Sequence, residues 1–320
     1  MPQCEYVGPS GNQCPESVAE ADTYCFWHDR DADKNGPEVK QQLEDKVKNQ
    51  ISLEGYELSH ANLEDAWLIE ADLSYANLSR ANLKDGHLFG INLNGAQLFR
   101  TNLEHANLKE ANLEDADLLG ATLDDTDLER SSWGDNHVLR NHKEALTLQK
   151  HGDAEGAFAK YQESEDIYRK IRRRYEAVGL NDIAGHFFYG EMYSRRMQMP
   201  RFSSARFFSR LFDLLCGYGE VPSRIIASSL LYILFSALIY CFLGIQNGDQ
   251  VYAFHPNASL MEDIKIFGYA LYFSVVTFTT LGYGDISPIG FSRPFAALEA
   301  FNGIILNTLF MLTLIRKMTR

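Results

Sequence analysis

The sequence predicts a membrane protein built in several parts: a coil of short repeats, an α-helical connector and a two-helix membrane segment. Three observations predict it. Leucine recurs at every fifth position from Leu53 to Leu128 without a break, sixteen times in all. Residues 137–198 show helical periodicity with few turn formers. Near the C-terminus, two apolar stretches flank a loop rich in glycine and threonine. Bulk composition conceals this organisation. The 320 residues are 45% hydrophobic with a net charge of −13, an average over a hydrophilic coil and an apolar segment, and the length allows two or three domains.

In the membrane segment, Ile225 to Ile245 runs twenty-one residues without a charge, matching the roughly 20 needed to span the hydrocarbon core. Pro294 can start a second helix, and Phe295 to Ile315 is apolar apart from Glu299, Asn302 and Asn307. Between them, the aromatic and β-branched run Tyr269–Thr280 suits a short helix aimed into the bilayer. It leads into Thr279-Thr280-Leu281-Gly282-Tyr283-Gly284-Asp285. Loop backbone at membrane depth is tolerated only when buried in protein or lining an aqueous path. Four such loops around an axis can turn their carbonyls inward and replace the water shell of a dehydrating cation. Glycine at 282 and 284 then relieves alternate residues of a Cβ penalty. A second Gly-Tyr-Gly at residues 217–219 lacks the threonines and a preceding helix, and reads as a turn entering the membrane.

Residues 220–320 resemble the two-transmembrane potassium channel family. The resemblance implies a homotetramer, each chain giving a quarter of the ring, with K+ held by the carbonyls of Thr280, Leu281, Gly282 and Tyr283 and by the Thr280 hydroxyl. Gly284 completes the filter, and Thr279 and Asp285 support it. Leu281 replaces the common valine and keeps the backbone oxygen. Val276 stands where some members carry a carboxylate behind the filter. Tyr272 and Phe273 take the place of an aromatic pair that braces it. Gly303 matches the hinge glycine of the inner helix, with close helix packing as the alternative. Glu299, Gly303, Asn307 and Met311 share a helix face. On it Asn307 is placed to line the cavity, and Glu299 to hydrogen-bond behind the filter, with packing roles equally open for both.

Arg195, Arg196, Arg201, Arg206, Arg210 and Arg224 precede the first span, and Arg316, Lys317 and Arg320 follow the second. This places both termini in the cytoplasm of a multi-pass cell-membrane protein. The segment 246–265 then faces outside, where its carboxylates concentrate cations; its Asn257-Ala258-Ser259 sequon is discounted. Residues 201–219 space arginines and aromatics as in an interfacial helix on the inner leaflet. No arginine-every-third-residue helix crosses the bilayer, which excludes a voltage sensor of the usual kind. The chain stops within five residues of the inner helix, so any regulator is expected on the N-terminal side.

The period of five in residues 51–130 fits neither helix nor flat strand. Two positions before each leucine the residue is mostly alanine, as at Ala61, Ala66, Ala71 and Ala106. The pattern resembles the pentapeptide-repeat family, which implies a right-handed quadrilateral β-helix with four pentapeptides per coil and four coils, about 19 Å tall at the ~4.8 Å strand spacing. Gly86, Ile51, Tyr56 and Ile91 at the small-residue position predict irregular walls, and the terminal coils need caps. Sixteen Asp and Glu against five Lys and Arg place most of the chain's acidity here. Some members of this family are acidic DNA mimics, so an acidic scaffold anchored in the membrane is an alternative function. A solvated face is favoured over it, and nucleic acid is not an expected partner.

Residues 131–200 suit a connector with tetratricopeptide-like helices joined near Gly179, or a plain helical hairpin. Within it the basic run Arg169–Arg174 fits a solvated face first, and otherwise an acidic coil, anionic lipid or a phosphate. Residues 31–50 read as a linker helix from Pro37 to Asn49. Residues 1–30 hold Cys4, Cys14, Cys25 and His28, a set suited to tetrahedral structural zinc, although its 9- and 10-residue gaps are wide for a finger, leaving unrelated thiols as the other reading. A reducing compartment excludes disulfides. Cys216 and Cys241 read as packing residues. There is no phosphate loop, no nucleophile with its base and no open metal site, so no enzyme activity is expected. The function expected is a potassium-selective channel, passive and gated from the N-terminal side by a cytoplasmic protein or small ligand. A weakly selective cation channel is the alternative within transport.

Overall fold

The computed structural model describes residues 2–9, 11, 13–19, 22–256 and 259–318. Asn257 and Ala258 of the sequon and the terminal Arg320 lie outside the described residues. The chain divides into two compact units, Met1–Arg206 and Phe207–Arg320.

In the first unit, parallel bridges join residues twenty apart, from Glu57–Asn77 to Asn112–Ser132. One turn of the coil is therefore four pentapeptides. Every leucine of the series from Leu53 to Leu128 is buried, and Tyr56 and Ile91 are accommodated inside, whereas Ile51 is 41% exposed and precedes the coil. Corners recur at every fifth residue with positive φ, from His60 at 62° to Arg130 at 59°. Each closes a turn bond such as Ala61 N–H to Leu58 C=O, 3.1 Å, the geometry of a type II turn. Asparagines stack on the flat walls, with Asn102 donating to Asn82 and Asn82 to Asn62 at 3.2 Å each, a ladder that repeats the backbone spacing.

Both ends of the coil are covered. Helix α1, Pro37–Lys48, begins with proline and a first-turn Glu38, both favoured at a helix start. Its Val39 and Leu43 are buried in the same core as the leucines. Backbone N–H groups of the first coil lack an earlier coil to bond. Trp27 C=O takes Glu57 N–H at 2.8 Å, and the Glu44 carboxylate takes Trp67 N–H at 3.0 Å.

The connector contains three helices, α2 (Arg140–Lys150), α3 (Ala154–Ala177) and α4 (Asn181–Gln198), rather than a pair. The extra break is at Gly152, φ 83°, followed by Asp153, whose side chain caps Gly156 N–H, a helix stop and start in two residues. The α3–α4 turn falls at Gly179 as expected. Helix α3 closes the far end of the coil. Lys170 and Arg174 donate to the carbonyls of Ala121 and Thr126, and Tyr175 to that of Leu128 at 2.9 Å. The basic run is therefore not a plain solvated face: Arg169 and Arg172 bind Glu191, and Arg174 pairs with Asp125.

In the second unit, α5 (Ser204–Cys216) begins just before the division and exposes Phe207, Phe208, Leu211, Phe212 and Leu214. Residues 217–219 form a single 3₁₀ turn with Tyr218 at φ 56°. Helix α6, Pro222–Leu243, and the stretch Ser292–Ile315 of α8 (Ser292–Met318) are long and apolar enough to cross a membrane. Between them lie β1 (Ile245–Asn247), β2 (Gln250–Tyr252), α7 (Leu260–Phe278) and β3 (Ile286–Pro288), the strands forming an antiparallel sheet in the order β2-β1-β3. Helix α7 starts nine residues before the expected Tyr269 because Ser259 and Glu262 form a reciprocal capping box. Its inner face packs Ala270 and Phe273 on Ala237, Tyr240 and Cys241 of α6 and Ala296 of α8.

Candidate pore loop and metal cluster

Helix α7 ends on a backbone device that sets up the loop after it. Leu281 N–H bonds Val276 C=O and Thr280 N–H bonds Thr277 C=O, both at 3.0 Å, the paired bonds of a Schellman cap. Thr280 sits at its left-handed position with φ 60°, where a β-branched residue is strained. Gly282 at φ 60° and Gly284 at φ 79° follow, while Leu281 and Tyr283 between them keep negative φ. Left-handed backbone at alternate residues is what a loop with its carbonyls on one side needs. Strand β3 anchors the loop's exit, Ile286 pairing with Asn247.

Side chains around the loop sort to two sides. The Thr279 hydroxyl donates to Val275 C=O and that of Thr280 to Thr279 C=O, both 2.7 Å. Tyr272 and Asp285 line one cleft with Lys265 and Tyr269. Phe273 faces the other way. It is buried with its ring 4.8 Å from that of Tyr240, so within one chain the aromatic pair is split between loop and helix core.

Gly303 lies buried against the end of α7. A Cβ there would stand 2.1 Å from Phe278 C=O, so close packing holds this position. Asn307, one turn further along, is exposed in the single chain. Glu299, one turn before, is fully buried and meets the hydroxyls of Tyr240 and Ser274 at 2.5 Å each. Neither hydroxyl was singled out by the sequence.

At the N-terminus, the ligand atoms of Cys4, Cys14, Cys25 and His28 all fall within 4.8 Å of one another. Cys14 and Cys25 Sγ are 3.8 Å apart, Cys25 Sγ and His28 Nδ1 3.3 Å, and Cys4 Sγ and His28 Nδ1 3.7 Å. Tetrahedral edges built on bonds of about 2.3 Å to sulfur and about 2.0 Å to nitrogen have these lengths. His28 Nε2 faces Glu54 C=O at 3.4 Å, which leaves Nδ1 for a metal. Burial pushes the Cys14 thiol up to about 12 and lowers the His28 imidazole. Such a pocket disfavours thiolates unless a cation joins them. His28 stacks on Tyr6 at 3.8 Å, and Trp27 on Tyr56 of the coil at 5.3 Å.

At the far end, Trp133 takes the next position of the leucine series and is buried. Its indole N–H donates to Tyr175 at 2.9 Å, and its ring meets Phe187 edge-on. Extending the period of five by one step would have found it.

Residues 227–320 match the family described as Ion channel. Residues 57–95 and 96–132 match the pentapeptide repeats, in eight copies. The chain carries a pentapeptide-repeat segment and an ion-channel segment. Protein LctB of Bacillus caldotenax is 37% identical over 70 residues, 22% of this chain and 52% of that protein. Protein LctB of Geobacillus stearothermophilus is 34% identical over the same share. The chain thus spans about half the length of the curated relatives it matches. Among solved structures, a pentapeptide repeat protein from Nostoc Pcc 7120 is 32% identical, covering 29% of this chain and 83% of its own, with a TM-score of 0.27. Another, from the cyanobacterium Cyanothece 51142, is 37% identical, covering 27% and 55%, with a TM-score of 0.21.

Proposed function

We propose that the ion-channel segment assembles as a homotetramer and conducts K+ passively through the carbonyls of Thr280, Leu281, Gly282 and Tyr283. The observation that carries this reading is the alternation of φ at Gly282 and Gly284 directly after a capped helix, the arrangement that a carbonyl-lined filter needs. Among the described residues, Gly282, Tyr283 and Gly284 make no backbone hydrogen bond, and bare backbone at membrane depth demands protein or a water-filled path around it. Further copies of the loop supply both. The basic residues flanking the spans put both termini in the cytoplasm.

In this reading the N-terminal unit is a right-handed four-sided coil whose entrance is closed by a structural zinc held by Cys4, Cys14, Cys25 and His28, and it biases the gate. The coil supports a weaker case for an acidic DNA-mimic scaffold, because the carboxylates of Asp115 and Asp125 already bind Lys143 and Arg174 of its own chain.

Liposomes holding the purified full chain test the proposal. The expected result is K+ efflux that exceeds Na+ efflux and disappears in Gly282→Asp. Equal K+ and Na+ efflux would make it a weakly selective cation pore. Absence of flux in both the full chain and a form lacking residues 1–200 would favour the anchored scaffold.

A further inference from the structure

The buried carboxyl of Glu299 lies between the two spans and α7, and its partners can be counted proton by proton. Tyr240 of α6 presents one hydroxyl hydrogen to Oε2 at 2.5 Å. Ser274 Oγ of α7 stands 2.5 Å from Oε1 and 2.9 Å from Ile233 C=O of α6. A serine hydroxyl carries one hydrogen. If Glu299 were ionised, Ser274 could serve only one of these two acceptors, and the other contact would set lone pairs against lone pairs. A carboxylic acid resolves the count: Oε1–H donates to Ser274, Ser274 donates to Ile233 C=O, and Tyr240 donates to Oε2. Ser236 of α6 is also buried, and its hydroxyl makes no hydrogen bond among the described residues, to Glu299 or to any other group. An ionised carboxylate among neutral hydroxyls in a membrane protein would also be costly.

Four residues along α8 from Glu299 comes Gly303, and four residues along α7 from Ser274 comes Phe278, whose carbonyl rests on Gly303. The two contacts form a seat for the last turn of α7, which ends two residues before Thr280. We propose that Glu299, as a neutral acid, is a positioning residue for the filter: it ties both spans to the pore helix and fixes where the loop Thr280–Gly284 begins. The proposal rests on the reading of that loop as a potassium filter. It adds that the inner helix and the filter are mechanically one piece near Gly303, so that bending there shifts the filter.

The test measures K+ over Na+ permeability of full-length channels in bilayers, with oligomeric state checked by size exclusion in detergent. Glu299→Gln preserves the pattern, its amide N–H₂ donating to Ser274 and its carbonyl accepting from Tyr240, and is expected to keep wild-type selectivity. Glu299→Leu fills the same space without the bonds and is expected to lower the ratio about tenfold, the scale of one buried hydrogen bond. If Glu299→Leu does not assemble, Tyr240→Phe, which removes one donor at constant shape, is expected to lower it several-fold. Wild-type selectivity in an assembled Glu299→Leu or in Tyr240→Phe would overturn the proposal. Loss in Glu299→Gln equal to that in Glu299→Leu would overturn the neutral acid. A wild-type channel that does not distinguish K+ from Na+ would instead overturn the underlying filter reading.

Discussion

The repeat coil and the pore loop are both regular backbone built on a short motif, and they differ in where their hydrogen bonds go. In the coil, N–H groups along the walls find carbonyls about twenty residues away in the same chain, as Leu63 finds Asn82 at 2.7 Å, and those after the corners close local turns, as Ala61 does on Leu58. The ends that such stacking leaves open are closed by Trp27, Glu44, Lys170 and Arg174. In the loop, Gly282, Tyr283 and Gly284 form no backbone bond among the described residues, and Leu281 and Tyr283 are 59% and 66% exposed. One region completes itself within a chain, and under the proposed function the other is completed by further copies and by ions. Regularity alone therefore says little about assembly; the unpaired groups do.

If this contrast holds, damage to the coil alters stability and spares conduction, whereas damage near the loop does the reverse. The largest expected effect comes from removing the zinc proposed at Cys4, Cys14, Cys25 and His28. Structural zinc contributes on the order of 10 kcal/mol to small folds, so Cys25→Ser or chelation should melt the entrance of the coil, seen in thermal scans beside metal analysis. An unchanged melt, or less than one zinc per chain in the native protein, would remove the metal from the account. Next, Leu98→Ala, at a fully buried coil position, should cost about 2–5 kcal/mol and leave ion selectivity untouched.

Acid should act on the same unit through His142. Burial lowers its imidazole to about 4, against an ordinary value of about 6.5. The unfolded chain binds more protons between these values, so this contribution is full above pH 6.5 and shrinks by about 3 kcal/mol as the pH falls to about 4. Melting temperature against pH checks this, with a flatter profile expected in His142→Gln. The smallest change in stability, with the sharpest change in function, is expected for Gly303→Ala. Overpacking against Phe278 C=O should cost about 1–3 kcal/mol and sharply reduce K+ flux while leaving the coil's melt where it was. Flux equal to wild type would show that α7 yields freely at this point.

The coil was the most legible part, since a period of five in leucine states both the core and the turn length. Its corners were only partly legible: Glu70, Tyr75 and Arg80 adopt positive φ although local preference gives no hint of it, because the next coil holds them there. The four metal-type residues could be picked out, but their convergence depended on bridges such as Gln3–Ser17, which gaps of nine and ten residues do not specify. In the membrane segment, the capping box at Ser259 and Glu262 is legible as Ser-x-x-Glu, but it falls inside the stretch 246–265 whose carboxylates read as an outside loop. Glu299 could be placed behind the loop, yet its partners Tyr240 and Ser274 lie 59 and 25 residues away, a pairing that only the packing of three helices creates. Gly303 carries two meanings in sequence, hinge and close packing, and the Phe278 carbonyl beside it accounts for the packing one without bearing on the hinge.

The most direct test of the central claim is the reversal potential of the full-length channel in a planar bilayer with K+ on one side and Na+ on the other. A shift close to the K+ equilibrium value, abolished by Gly282→Asp, is the predicted result. A potential near zero with current still flowing would contradict a filter made from the carbonyls of Thr280 to Tyr283.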